Sequence, residues 1–123
     1  MFVQYVDITQ ENPSIDKAVT LTASTEDEAN DWFIAQGEEH ATRMGIDPST
    51  LRSASIQDVA PGLAMIAAKL NLDAVMFVGY PSSDGETVEL ISFIIASDGE
   101  RSLSADIMAS MIMTQLRAQG IIN

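Results

Sequence analysis

The fold is decided by residues 74–96, AVMFVGYPSSDGETVELISFIIA, which contain the two strongest strand candidates of the chain. Residues 74–80 and 87–96 are rich in β-branched and aromatic side chains, and the residues between them are turn formers. This pattern predicts two strands joined by a short connection. Both strands are apolar on both faces, as residues 91–95 (ISFII) show, so we expect them to lie at the centre of a sheet.

A second pair of strands is predicted near the start of the chain. Residues 2–8 form the first candidate. Residues 18–23 form the other. Val19 and Leu21 alternate there with Thr20 and Thr22, so the apolar side chains face one side of the strand and the threonines face the other. Turn-forming residues occupy the connection at 11–14, which predicts a hairpin with a rather long loop.

Capping residues and hydrophobic spacing predict two helices between these pairs of strands. Residues 24–28 (STEDE) form a capping box that starts a helix over about 26–44. Asp58 is the predicted N-cap of a helix over 59–70, in which Pro61 occupies the first turn, where a missing N–H costs little. The second helix is nearly all apolar, so we expect it to be buried on most sides.

A last helix, from residue 102 or 103 to about 119, completes the order β-β-α-α-β-β-α. That order indicates an α+β fold, in which an antiparallel β-sheet of about four strands is packed by two or three helices. We expect one globular domain over residues 1–123. Asp47 and Pro48 are a helix-start pair, but residues 51–56 have poor periodicity, and the sequence leaves open whether the segment 47–58 forms a short helical turn or an irregular connection.

The charge balance limits the classes of partner. Eighteen acidic and six basic residues give a formal net charge of −12 at pH 7. Such a field repels nucleic acid and anionic membranes and favours a basic protein surface as partner, although acidity can also serve solubility alone. The chain has no cysteine, no signal-peptide pattern and no long apolar run, so we expect a cytoplasmic protein that neither crosses nor binds a membrane.

Catalytic motifs are nearly absent from the sequence. It contains no glycine-rich phosphate loop, no G-x-S-x-G elbow and no pair of histidines at metal-ligand spacing, so we expect no enzyme, no cofactor and no metal. The single histidine, His40, is the candidate for general acid/base chemistry. A helical wheel places it with Ala29, Phe33 and Met44 on the apolar side, which favours a structural role at the edge of the core. Gly37, one turn earlier, is expected to let another backbone come close.

The first predicted helix concentrates negative charge. Between positions 24 and 40 there are six acidic residues and no Lys or Arg, and five of the six fall within an arc of about 120°. This clustering of acidic residues predicts either a docking surface for a basic partner or a face that is only solvated. The predicted partner-binding residues are Asp27, Glu28, Asp31, Trp32, Glu38 and Glu39. Trp32 is included because a partly exposed tryptophan rimmed by charge is a favoured interface anchor, although it can also cover the edge of the core.

The last predicted helix is apolar over an arc of about 240°, more than one packing surface requires. It must be covered on more than one side, either by the chain's own sheet and central helix or by a second subunit. In the second case the chain would be a homo-oligomer. The predicted self-association residues are Met108, Met111, Ile112, Met113 and Leu116.

Three functions follow as hypotheses. The first is a small acidic, non-catalytic interaction module, meaning an inhibitor, adaptor or assembly factor that presents the electronegative helix face to a basic partner. Imitation of nucleic-acid charge, as in a phage-encoded inhibitor of a DNA-binding machine, is a special case. The alternatives are a self-assembling structural subunit and a small-ligand-binding domain or minor enzyme near His40.

Overall fold

The computed structural model describes residues 1–11, 13–70, 72, 74–98 and 102–122. The strands are β1 (Phe2–Asp7), β2 (Val19–Thr22), β3 (Arg52–Ser55), β4 (Ala74–Pro81) and β5 (Val88–Ser97). The α-helices are α1 (Glu26–Arg43), α2 (Ile56–Val59), α3 (Pro61–Lys69) and α4 (Leu103–Ala118), and single turns of 3₁₀-helix lie at Ile15–Lys17 and Pro48–Thr50. The prediction of an α+β fold with an antiparallel sheet is confirmed, with a fifth strand added. The predicted connections at 11–14 and after β5 lie partly outside the described residues.

The five strands form one sheet in the order β2-β1-β5-β4-β3, and every neighbouring pair is antiparallel. The most apolar strand, β5, therefore lies at the centre, with β4 beside it, as their two apolar faces predicted. β1 pairs with β5 from the other side, so the first hairpin of the chain extends the last one into a continuous sheet.

A β-bulge interrupts the pairing of β4 with β5. Val78 pairs with Ser92, but Gly79 pairs with Leu90, which leaves Ile91 as the extra residue of β5. A Cβ atom on Gly79 would meet the backbone oxygen of Glu89 and would lie 2.6 Å from Val88 Cγ1. Glycine is therefore required at this point because the backbone of the neighbouring strand approaches too closely for a side chain.

Helices cover the sheet on both faces, in three layers. On one face α3 and α4 pack over the larger core. On the other face α1 packs with Phe33 against Tyr5, Val78 and Ile94 of the sheet, and Leu51 packs on the same cluster. The side chains that centre the larger core are Val6, Phe77, Phe93, Ile95, Met108, Ile112 and Leu116.

The helix predicted over residues 59–70 is confirmed as α3, with Pro61 in its first turn. It begins two residues later than predicted, after the separate one-turn α2, and the proposed N-cap is wrong. Ala60, directly before Pro61, has φ −140° and ψ 71°, because the proline ring disfavours a helical conformation in the preceding residue. Asp58 lies inside the short α2 and accepts a hydrogen bond from the Ser55 hydroxyl at 3.1 Å. The expectation of burial on most sides was also wrong, since Met65 of α3 is 68% exposed.

The first predicted helix is confirmed within one residue at its end. Thr25 Oγ1 accepts a hydrogen bond from the N–H of Glu28, and Glu28 Oε2 accepts one from the N–H of Ser24, each at 3.1 Å. Met44 lies just beyond the last turn and is 40% exposed, so its predicted inward position was wrong. None of the helices among the described residues is both long and apolar enough to cross a bilayer.

Candidate functional site

One side of α1 carries most of the helix's acidic residues, and we call it the acidic face. All of its carboxylate side chains are exposed. Among the residues that the structure describes, no Lys, Arg or His lies within ion-pair distance of them. The acidic face consists of Asp27, Glu28, Asp31, Glu38 and Glu39; Glu26 is also exposed, but it lies in the first turn outside that arc. The predicted partner-binding carboxylates are therefore brought together in solvent on one helix.

Local sequence explains why α1 can hold so many like charges. Glu26, Asp27 and Glu28 occupy the first turn, where the positive end of the helix dipole stabilises negative charge. Burial of Phe33 and His40 on the opposite side fixes the rotation of the helix about its axis. The acids beyond the first turn have no such compensation, so their mutual repulsion can be relieved by a cationic partner.

Trp32 lies at the border between the acidic face and the core. Its ring meets that of Tyr5 edge-on, with the centroids 6.5 Å apart and the planes at 86°. The side chain is half-buried and packs against both small clusters on the α1 side of the sheet. It covers the edge of the core, which was one of its two predicted roles, while its role as an interface anchor stays a prediction.

His40 is 2% exposed and lies in a polar cluster that joins α1 to the end of β1. Its Nδ1 is 3.0 Å from the Tyr5 hydroxyl. Its Nε2 is 3.1 Å from Thr9 Oγ1 and 3.2 Å from Asp7 Oδ1. Thr9 also donates to the same carboxylate oxygen from its hydroxyl, at 2.6 Å, and from its backbone N–H, at 2.8 Å.

The hydrogen-bond network assigns the protons in this cluster. The ionised carboxylate of Asp7 can only accept, so His40 Nε2 carries a proton toward it; in the neutral tautomer that this requires, Nδ1 is the acceptor for the Tyr5 hydroxyl. Burial alone would raise the pKa of Asp7, but the hydrogen bonds from His40 and Thr9 outweigh it and lower the pKa to about 2. Burial raises the pKa of Tyr5 to about 12, and the nearby Ser92 hydroxyl opposes this rise. Ser92 Oγ itself makes no hydrogen bond of normal geometry to the described part of the chain.

This arrangement suits a structural role better than general base chemistry. The Nε2 proton points at Asp7, so the ring offers no free lone pair to the Thr9 hydroxyl. A carboxylate whose pKa is about 2 is also a weak base. The burial predicted for His40 is confirmed, but sequence reasoning missed its partners Tyr5, Asp7 and Thr9. The one available signal was the D-x-T turn pattern directly after a strand, and nothing in the sequence linked it to a helix thirty residues later.

The carboxyl group of Asp7 makes the stability of the protein depend on pH. Its pKa is depressed from 3.8 in the unfolded chain to about 2, so its contribution is complete above pH 4 and is lost as the pH falls toward 2. We expect Asp7→Asn to lower the free energy of unfolding at pH 6 by about 2 kcal/mol. That deficit should shrink toward zero by pH 2, as measured by urea unfolding of both proteins.

The difference in unfolding free energy between the unchanged protein and the Asp7→Asn variant reports Asp7 alone, because the other acidic residues are the same in both. Asp84, whose pKa is also lowered to about 2 by the Ser82 hydroxyl and the N–H groups of Glu86 and Thr87, is present in both. A deficit that stays constant from pH 6 to pH 2 would mean that the carboxylate charge of Asp7 does not stabilise the fold.

A groove runs along the side of α1 that faces β4. It consists of two cavities of about 310 Å³ each, one behind the other, and Asn30, Phe33 and Met76 line both. The first cavity is bordered by Glu26 and Asp27 and the second by Glu38. Sequence reasoning missed this groove, because it depends on how α1 crosses the sheet.

The predicted self-association residues lie mostly inside the fold of a single chain. Met108, Ile112, Met113 and Leu116 are buried against the sheet, and Met111 is partly buried against the same core. The sequence left open whether these side chains are buried by the chain's own sheet and helices or by a second subunit. The chain's own core buries them. Self-association through them would require α4 to leave that core, and the oligomeric state stays a prediction.

The described residues contain no group of three or more His, Asp or Glu side chains that could hold a metal ion. Comparison with known proteins adds no identity. No family model matches the chain, and neither a curated protein nor a solved structure matches it.

Proposed function

We propose that this protein is a non-catalytic interaction module that docks the acidic face of α1 on a basic protein surface. The observation that supports this proposal is the exposure of six carboxylates on one helix with no basic partner among the described residues. Charges of one sign that are left unpaired on a rigid surface steer and orient an oppositely charged partner. Imitation of nucleic-acid charge, directed at a protein that binds DNA, is one form of this function.

The charge of the acidic face is the quantity to test. We expect the triple variant Asp27→Asn, Asp31→Asn, Glu38→Gln to lose about 1 to 2 kcal/mol of binding free energy, roughly tenfold in affinity, because exposed ion pairs contribute a few tenths to one kcal/mol each. Binding is measured by capturing partners from the extract of the native cell on immobilised protein and eluting them with a salt gradient. The captured partner is then titrated against each variant.

A matched control separates a local surface from total charge. Asp16→Asn, Glu86→Gln, Glu89→Gln removes the same charge at exposed positions outside α1, and we expect it to bind nearly as well as the unchanged protein. Equal losses in the two triple variants would show that only net charge matters. Binding that does not weaken with salt would contradict an electrostatic docking surface altogether.

A further inference from the structure

The two faces of the sheet are covered unequally. Strands lie about 4.8 Å apart, so five of them span roughly 19 Å, whereas one helix with its side chains is about 10 Å wide. Two helices, α3 and α4, pack on one face, and α1 is the α-helix that packs on the other within the described residues, with one turn of 3₁₀-helix at Pro48–Thr50 beside it. A strip of the described sheet over β4, between α1 and that turn, is left without an α-helix.

That strip has an apolar floor and an apolar edge. Met76 and Val78 of β4 form the floor, and Phe33 of α1 forms the wall. Ile34, which lies on the α1 edge of the second cavity, is 47% exposed. Apolar side chains in a groove of this kind are typical of a site that receives apolar side chains from a partner.

The rim of the same groove is charged. The rim carboxylates extend from Glu26 to Glu38, a distance of about 18 Å along α1 at the helical rise. Among the described residues, Arg52 is the one basic side chain that lines the two cavities, and its guanidinium donates to the backbone oxygens of Thr50 and Leu51 at 3.3 and 3.1 Å. An occupant of this groove thus meets apolar surface below and negative charge along one side.

We propose that the groove between α1 and β4 binds a basic amphipathic helix of a partner protein. The apolar side of that helix packs on Ile34 and Met76, above the buried ring of Phe33, while its Lys and Arg residues face the rim carboxylates of α1. A second copy of this chain is a poorer occupant, because each copy carries a net charge of −12. This inference rests on the proposed function, to which it adds the kind of partner segment that is recognised.

The test uses a synthetic helical peptide in which Leu recurs every three or four residues and Lys fills the other positions. A second peptide has Ala in place of each Leu, so it keeps the charge and the helical tendency but lacks the apolar side. Binding to the full chain is measured by calorimetry at moderate salt. We expect the Leu peptide to bind about tenfold more tightly than the Ala peptide, because one well-buried Leu accounts for a difference of that size.

Two variants with the same new side chain test the location. Asn30→Trp places a large ring where the two cavities meet, and Ala68→Trp places it at an exposed position of α3, on the other face of the sheet, that lines neither cavity. We expect Asn30→Trp to reduce affinity for the Leu peptide to that for the Ala peptide, and Ala68→Trp to leave it unchanged. If Asn30→Trp does not fold, Ile34→Ser removes the apolar edge instead and should weaken only the Leu peptide.

The outcomes separate the groove from the acidic face. Equal affinity for the two peptides, with no effect of Asn30→Trp, overturns the groove proposal while leaving the acidic face as the docking surface. Failure of both peptides to bind contradicts both proposals. A dimer in light scattering that Asn30→Trp converts to a monomer would show that a second copy occupies the groove, and would overturn the assignment to a basic helix.

Discussion

Gly79→Ala should lower the free energy of unfolding by about 3 kcal/mol, because the added methyl group has no space at the bulge between β4 and β5. Its Cβ would meet the backbone oxygen of Glu89 and would lie 3.0 Å from the backbone carbon of that residue. Backbone atoms of a central strand cannot move aside as the end of a flexible side chain can. Urea unfolding followed by circular dichroism measures the loss.

Gly37 provides the matched control for this substitution. A Cβ there would lie 3.7 Å from Leu51 Cδ1 and 3.9 Å from Val78 Cγ1, which is ordinary contact with side chains. The sequence suggested that Gly37 allows a close backbone approach, and that interpretation was wrong. We therefore expect Gly37→Ala to raise the free energy of unfolding by about 0.5 kcal/mol, since alanine is the better helix former. Similar losses at both glycines would contradict the steric explanation for Gly79.

His40→Leu should lower the free energy of unfolding by about 3 kcal/mol, although leucine fills a similar volume. The substitution removes the hydrogen bonds that the ring makes to Tyr5, Thr9 and Asp7, and it leaves the buried Tyr5 hydroxyl without that partner. Tyr5→Phe, which removes a single hydroxyl from the same cluster, should cost only about 1 kcal/mol. Urea unfolding at pH 7 measures both proteins.

The double variant Tyr5→Phe, His40→Leu adds an internal check. The free energy of unfolding should fall by less than the sum of the two single decreases. The reason is that Tyr5→Phe removes the buried hydroxyl that His40→Leu alone would leave without a hydrogen-bond partner. If His40→Leu is as stable as the unchanged protein, or more stable, then His40 is not retained for stability. The hypothesis of a ligand site or a minor enzyme near His40 would then gain support, since functional residues are often kept at a cost in stability.

The two strands that contribute most to the core, β4 and β5, were predictable because their apolar composition indicates directly that they are buried. β4 and β5 are apolar on both faces, and a strand of that kind has few positions open to it other than the centre of a sheet. β3 could not be predicted in the same way. Its residues Arg52–Ser55 include one apolar side chain, Ala54, and they pair with β4 as a short, largely exposed edge.

The candidate site was predictable only as far as it lies on one helix. The helical wheel correctly placed the acids in solvent and His40 inward, since both follow from the spacing within α1. The partners of His40 come from the end of β1, and the groove depends on which part of the sheet α1 leaves uncovered. Both are consequences of the packing between distant elements, which no local pattern records.

The unequal cover of the sheet has a consequence for how the protein opens. α1 is held by few large buried side chains, chiefly Phe33 and His40, whereas α4 buries two methionines, an isoleucine and a leucine. The chain's single tryptophan, Trp32, lies in α1. Its fluorescence therefore reports the detachment of that outer layer, and amide hydrogens of α1 should exchange before those of the central strands.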